Sequence, residues 1–93
     1  DDVRESPALD ILRILESRGA QVSYNDPYVP ELRWNDTTLR SQDLLPAVAA
    51  ADLVVIVTNH STYPYDEIVR QAKVVVDTRN ATKGIASAKI LKL

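Results

Sequence analysis

Two short runs constrain this chain more than anything else in it. Residues 53–58, LVVIVT, and residues 73–77, KVVVD, are nearly unbroken apolar stretches rich in valine. β-Branched side chains suit the extended backbone, where they pack against neighbours on a pleated surface. A strand with one wet face alternates apolar with polar residues, and these runs do not. They predict strands covered on both faces, as in a parallel sheet. Between them Pro64 opens a helix predicted over Tyr65 to Ala72. Proline fits a first helical turn because the N–H it lacks would have no partner there. Strand, helix, strand is the crossover unit that parallel strands require.

The rest of the chain extends this pattern. Ser6-Pro7 predicts a helix start, followed by apolar Ala8, Leu9, Ile11, Leu12, Ile14 and Leu15, with Gly19 as its stop. Residues 20–25, AQVSYN, predict a short strand closed by Asp26-Pro27. Pro27 to Pro30 is a stiff loop. Residues 31–42 are polar, with a short strand expected near Thr37–Arg40. Residues 43–51, DLLPAVAAA, predict a helix beginning near Leu45, because Pro46 must stay close to its start. Ala88 to Leu93 predicts a last strand. The order α-β-(α)-β-α-β-β indicates an α/β fold, Rossmann-like and doubly wound, with a mainly parallel sheet and flanking helices. In such folds a strand precedes the first helix and is usually central. Here the chain opens directly on the turn DDVRES. The expectation is that the first strand is missing from this chain and that the native protein continues upstream. Position 1 is Asp and there is no methionine, which agrees with a processed or excised piece.

Composition removes several classes of function. Ninety-three residues with 45% apolar content allow one domain, residues 1–93, with one core. A net charge of −2 gives no general attraction to nucleic acid or to a membrane surface. Trp34 and the four tyrosines are not interleaved with a basic stripe, so base stacking is not expected. There is no cysteine, which excludes disulfides, thiolate zinc sites and a cysteine nucleophile within the chain. No apolar run approaches the roughly 20 residues that span a bilayer. No secretory signal is visible, so a cytoplasmic location is the expectation.

Ligands of open α/β sheets bind beyond the carboxyl ends of the strands. Asp1 to Ser6, Asn25 to Tyr28, Thr58 to Thr62 and Asp77 to Lys83 are the segments expected there. Asp26 stands where a dinucleotide fold places a ribose-binding acid, but the first turn has no glycine to admit a pyrophosphate. Asp26-Pro27 therefore reads as a turn former. His60, the only histidine, has no cysteine and no evident acid beside it. It reads as a polar loop residue rather than a metal ligand or a base. From Ile68 to Leu93 there are six basic residues and one acid, Asp77. Arg79 directly follows a strand, and Arg4 sits in the first turn. A guanidinium is a planar fork matched to phosphate or carboxylate. Two arginines at one edge suggest an anionic, phosphate-bearing ligand. Ion pairs with Glu5, Asp26 or Asp77 are the alternative use for them. No paired carboxylates stand out for acid–base work.

In sequence order, DDVRESPAL, GAQVSYNDPYVPEL, ADLVVIVTNH and VVVDTRNATKG together resemble the C-terminal domain of the UDP-glucose/GDP-mannose dehydrogenase family. Among its members, the bacterial UDP-N-acetylhexosamine 6-dehydrogenases are the most similar. The resemblance covers essentially the whole chain. It implies a parent with an N-terminal NAD-binding Rossmann domain, a central helical dimerisation region and this nucleotide-sugar domain. The parent would be a homodimer or higher homo-oligomer. The implied reaction oxidises the C6 alcohol of a UDP-sugar (UDP-GlcNAc, UDP-ManNAc or UDP-glucose) to the carboxylate, consuming two NAD. The products would feed surface polysaccharide synthesis. The family's nucleophilic cysteine and its helper residues lie upstream, so this chain holds no catalytic residue and would be inactive alone. The strand before DxRES, with its phenylalanine–lysine pair, is also absent. Two positions match the family's functional residues. Arg4, in DVRES, matches the arginine that reaches NAD. Arg79, in DTRN, matches the arginine that contacts the UDP-sugar.

Two other readings remain open at this point. One is a stand-alone Rossmann-like module that binds a mononucleotide or a protein without chemistry. The other is a structural domain kept for oligomer contacts, in which Arg79 is paired internally and needs no ligand.

Overall fold

A computed structural model describes residues 7–34 and 37–93. The chain divides into two compact units, one ending at Asp43 and one spanning Leu44–Leu93.

The first unit holds helix α1 (Pro7–Ser17) and a hairpin of β1 (Glu31–Trp34) and β2 (Thr37–Arg40). Pro7 begins α1 as expected; Ser6 lies outside the described residues. The helix stops at Gly19, whose φ of +90° is open to glycine at little cost. Two backbone bonds close the end: Gly19 N–H donates to the Glu16 carbonyl at 3.0 Å, and Ala20 N–H to that of Leu15 at 3.0 Å. This pair of bonds is a Schellman cap. Leu9 and Leu12 are buried together with Leu32 of β1, and Val22, Tyr24, Val29 and Leu39 pack around them. The apolar stripe of α1 is narrower than its sequence predicts. Ile14 is 56% exposed, because two residues beyond Leu12 lies roughly 200° around a helix.

The strand predicted over residues 20–25 does not form. A strand needs a ladder, and residues 20–26 have none among the described residues. Val22 and Tyr24 instead act as apolar wedges against the leucine cluster. The segment is tied down by single bonds. Gln42 N–H donates to the Tyr24 carbonyl at 2.8 Å, and Asn25 Nδ2 donates to the Gln42 carbonyl at 2.6 Å. The Ser41 hydroxyl accepts from Asp26 N–H at 2.9 Å. Tyr28 N–H donates to Asp26 Oδ1 at 2.8 Å, so Asp26 does form the turn. β1 was not foreseen. It pairs antiparallel with β2, with Leu32 opposite Leu39 and Glu31 opposite Arg40, and the last two form an exposed ion pair.

The second unit holds the parallel sheet. Helix α2 (Leu44–Ala50), strand β3 (Val54–Ile56), helix α3 (Tyr65–Gln71), strand β4 (Val75–Asp77) and strand β5 (Ile90–Lys92) follow in order. The strands lie in the order β3-β4-β5, with both pairs parallel. The apolar runs end up in the predicted strands, but each ladder is three residues long. α2 begins one residue earlier than predicted. Pro46 is its third residue, still within the first turn, where no intrahelical N–H is required. Val48, Ile56, Ile68, Val69, Ala72 and Val75 make the core of this unit. The Lys89 ammonium caps α3, donating to the Val69 and Arg70 carbonyls at 2.9 and 2.8 Å. A cation there satisfies orphan carbonyls and meets the negative end of the helix dipole.

Candidate functional site

The parallel register sets the carboxyl ends of β3 and β4 side by side, with Ile56 opposite Asp77. Immediately beyond, Thr78 ties the two strands together. Its N–H and its hydroxyl both donate to the Ile56 carbonyl, at 3.1 and 2.7 Å. Two of the segments expected at a ligand edge, Thr58 to Thr62 and Asp77 to Lys83, thus leave the sheet from adjacent strands. Asp1 to Ser6 lies outside the described residues, and Asn25 to Tyr28 belongs to the other unit.

Asp77 organises the turn that follows β4. The residue is 0% exposed, and its carboxylate accepts four hydrogen bonds. Oδ1 takes the N–H groups of Arg79 and Ala81, each at 3.0 Å. Oδ2 takes the N–H of Thr82 at 2.8 Å and the Thr82 hydroxyl at 2.6 Å. Burial alone would raise the pKa of this carboxyl. The donors from Thr82, Ala81 and Arg79 outweigh burial and hold the pKa at about 2. Asp77 is therefore a charged anchor at neutral pH. Asn80 takes a φ of +56°, a conformation that asparagine tolerates better than most residues. Its Oδ1 accepts from Lys92 Nζ at 2.9 Å.

The loop after β3 forms the neighbouring wall. His60 N–H donates to the Tyr65 hydroxyl at 2.9 Å. The His60 and Tyr63 ring centroids are 4.8 Å apart, and those of Tyr63 and Tyr65 are 5.9 Å apart. Burial raises the Tyr65 pKa, the His60 N–H lowers it, and the negative charge of Asp77 raises it. The tyrosine thus feels the same carboxylate that anchors the opposite turn. Among the described residues no group of three His, Asp or Glu side chains is placed to hold a metal ion.

The six basic residues sort themselves by what they touch. Arg70 pairs with Glu67, and Lys73 with Asp52 at 3.5 Å. Lys89 caps α3 and Lys92 holds Asn80. The other two, Arg79 and Lys83, are exposed and lie in the turn anchored by Asp77. Among the described residues neither side chain has an ion-pair partner. Asp77, one of the acids that could have neutralised Arg79, bonds only its backbone N–H. A guanidinium without an ion-pair partner among the described residues, on a hydrogen-bonded turn at a sheet's carboxyl edge, is suited to gripping phosphate or carboxylate.

Residues 1–84 match the family described as UDP-glucose/GDP-mannose dehydrogenase family, UDP binding domain. The chain belongs to this family. Curated relatives agree. The chain is 35% identical over 96 residues to an NDP-N-acetyl-D-galactosaminuronic acid dehydrogenase of Ralstonia solanacearum, covering 98% of this chain and 21% of the relative. It is 30% identical over 88 residues to a UDP-N-acetyl-D-mannosamine dehydrogenase of Methanococcus maripaludis, covering 86% of this chain and 19% of the relative. The chain thus spans about a fifth of the length of the curated relatives it matches. No solved structure matches it. For the UDP-glucose/GDP-mannose dehydrogenase family the α/β class and the parallel sheet with flanking helices are the fold expected from the sequence, and both are present.

Of the two predicted site residues, Arg79 stands at the carboxyl edge of the sheet, and Arg4 lies outside the described residues. Sequence reasoning missed Asp77 as the anchor of the Arg79 turn. An acid at a strand's end followed by T-R-N-A-T, with small and hydroxyl residues able to fold back on it, was the available signal.

Proposed function

We propose that this chain is the nucleotide-sugar-binding domain of a longer NAD-dependent nucleotide-sugar 6-dehydrogenase, with Arg79 as its contact to the UDP-sugar phosphates. The carrying observation is the guanidinium of Arg79, without an ion-pair partner among the described residues, on a turn held by a buried carboxylate, in a chain of the family's UDP binding domain. The relatives named for N-acetylated hexosamines favour UDP-GlcNAc or UDP-ManNAc over UDP-glucose as substrate. In this reading the first strand, the catalytic cysteine and the NAD domain belong to the remainder of the polypeptide. The assembled protein is a homodimer or higher homo-oligomer.

The reaction converts a C6 alcohol to a carboxylate, a four-electron oxidation that needs two hydride acceptors. NAD supplies that chemistry when bound. The described residues do not fit NAD: a pyrophosphate cradle needs a glycine-rich strand-to-helix turn. Gly19 caps a helix end instead, and Gly84 follows the Asp77-anchored turn. Arg4, matched to the family's NAD-reaching arginine, is the one residue of this chain assigned to the cofactor. No step of the oxidation runs through the described residues. Their part is to bind the diphosphate, orient the sugar, and close the cleft against water. Among the described residues no helix is long and apolar enough to cross a membrane. We place the parent in the cytoplasm, supplying uronates for surface polysaccharide.

Replacing Arg79 with Ala in the intact protein tests the assignment. UDP affinity is expected to fall by about ten- to a hundredfold, the scale of a lost charge-assisted contact. The melting temperature is expected to be unchanged, because the guanidinium has no ion-pair partner among the described residues. A lowered melting temperature with unchanged UDP affinity would show that Arg79 is structural.

A further inference from the structure

The turn after β4 has two faces. Thr78, Ala81, Thr82 and Ile85 point inward. Thr78 bonds the Ile56 carbonyl, Thr82 is fully buried on Asp77, and Ala81 and Ile85 pack on the core. Arg79, Asn80 and Lys83 are exposed. The anchored residues leave the turn little freedom, so its outward side chains start from fixed positions. Of those three, Asn80 is held by Lys92. The remaining two are cations without a partner among the described residues, in a unit whose other four cations from Ile68 onward are engaged.

We propose that residues 77–83 form a pre-organised anion seat in which Lys83 joins Arg79 as a second cation on the diphosphate, with Asp77 as the positioning residue for both. The proposal rests on the reading of Arg79 as a UDP contact and adds two residues to it. Chemically, a diphosphate carries more than one charge and offers oxygens on two phosphorus centres. An arginine fork suits paired oxygens, and a lysine adds a compact charge with rotatable donors. Asp77 touches neither ligand nor cation head. It acts through the N–H groups of Arg79, Ala81 and Thr82.

The test measures UDP binding to the intact protein by calorimetry, well below the melting temperature, on variants verified as folded by circular dichroism. Lys83→Gln is expected to weaken UDP roughly tenfold, and Lys83→Arg to restore most of the loss. Removing Asp77 outright risks unfolding, so Thr82 gives the gentler probe. Thr82→Val keeps the side-chain shape and deletes one of the four bonds to Asp77. It is expected to weaken UDP about threefold or more, with Thr82→Ser near wild type. If the effect passes through the cations, Thr82→Val added to Arg79→Ala costs clearly less than it does in wild type. Equal loss in both backgrounds would make Asp77 merely structural and overturn its positioning role. Unchanged affinity in Lys83→Gln would remove the second cation and overturn the seat. If Arg79→Ala itself leaves UDP binding intact, the functional reading fails first and the seat with it.

Discussion

Asp77 is a buried carboxylate whose charge holds the turn that carries Arg79. Its folded pKa of about 2 lies below the ordinary value of 3.8. Between those values the unfolded chain binds more protons than the folded one, so stability rises with pH across that window. The contribution is present in full above the unfolded pKa and is lost as pH falls through the folded one. A shift of this size corresponds to about 2 kcal/mol. Asp77→Asn removes the charge and turns an amide N–H₂ toward backbone donors. We expect it to destabilise the protein by about 2 kcal/mol or more near neutrality. Urea denaturation of wild type and variant at pH 7 and near pH 2 checks this, because the gap is expected to shrink in acid. A gap independent of pH would mean that the carboxylate charge is not what holds the turn. The sequence marked Arg79 clearly, since an arginine directly after a buried strand has few places to go. It did not mark Asp77, because a lone acid at a strand end looks the same whether it faces water or collects four donors.

At the scale of elements, apolar runs and breakers were legible, while pairing was not. LVVIVT and KVVVD form strands that pair in parallel as expected, although Val55 and Val76 are only half-buried and Leu53 is exposed. The residues around Pro64 and Pro46 were placed to within one position, because proline limits where a helix can begin. AQVSYN failed because strand propensity does not supply a neighbouring strand. The strand expected at Thr37–Arg40 forms as β2, but its partner β1 was missed for the opposite reason. Its residues are mostly polar, and the alternation of ELRW and TTLR about a two-residue Asn-Asp break was the signal passed over. Gly19 offers a clean test at this scale. A side chain there would meet no atom within 4 Å, so any cost is conformational. Gly19→Ala is expected to lower stability by about 1 kcal/mol through the strained left-handed cap. Thermal or chemical denaturation reads this directly, and no change would show that α1 ends without the Schellman geometry.

For the molecule as a whole, the described residues place Arg79 and Lys83 in the exposed turn that follows β4 at the carboxyl edge of the parallel sheet. The chain has no cysteine and, among the described residues, no metal-binding cluster. It covers about a fifth of dehydrogenase relatives. Under the proposed function, this domain grips the diphosphate while another part of the polypeptide supplies the hydride acceptor. The most direct measurement is NAD reduction by the full-length protein, offered UDP-GlcNAc, UDP-ManNAc and UDP-glucose in parallel. Turnover of an N-acetylated sugar is expected, with two NADH formed for each sugar consumed. A folded protein that turns over none of the three would contradict the proposed function.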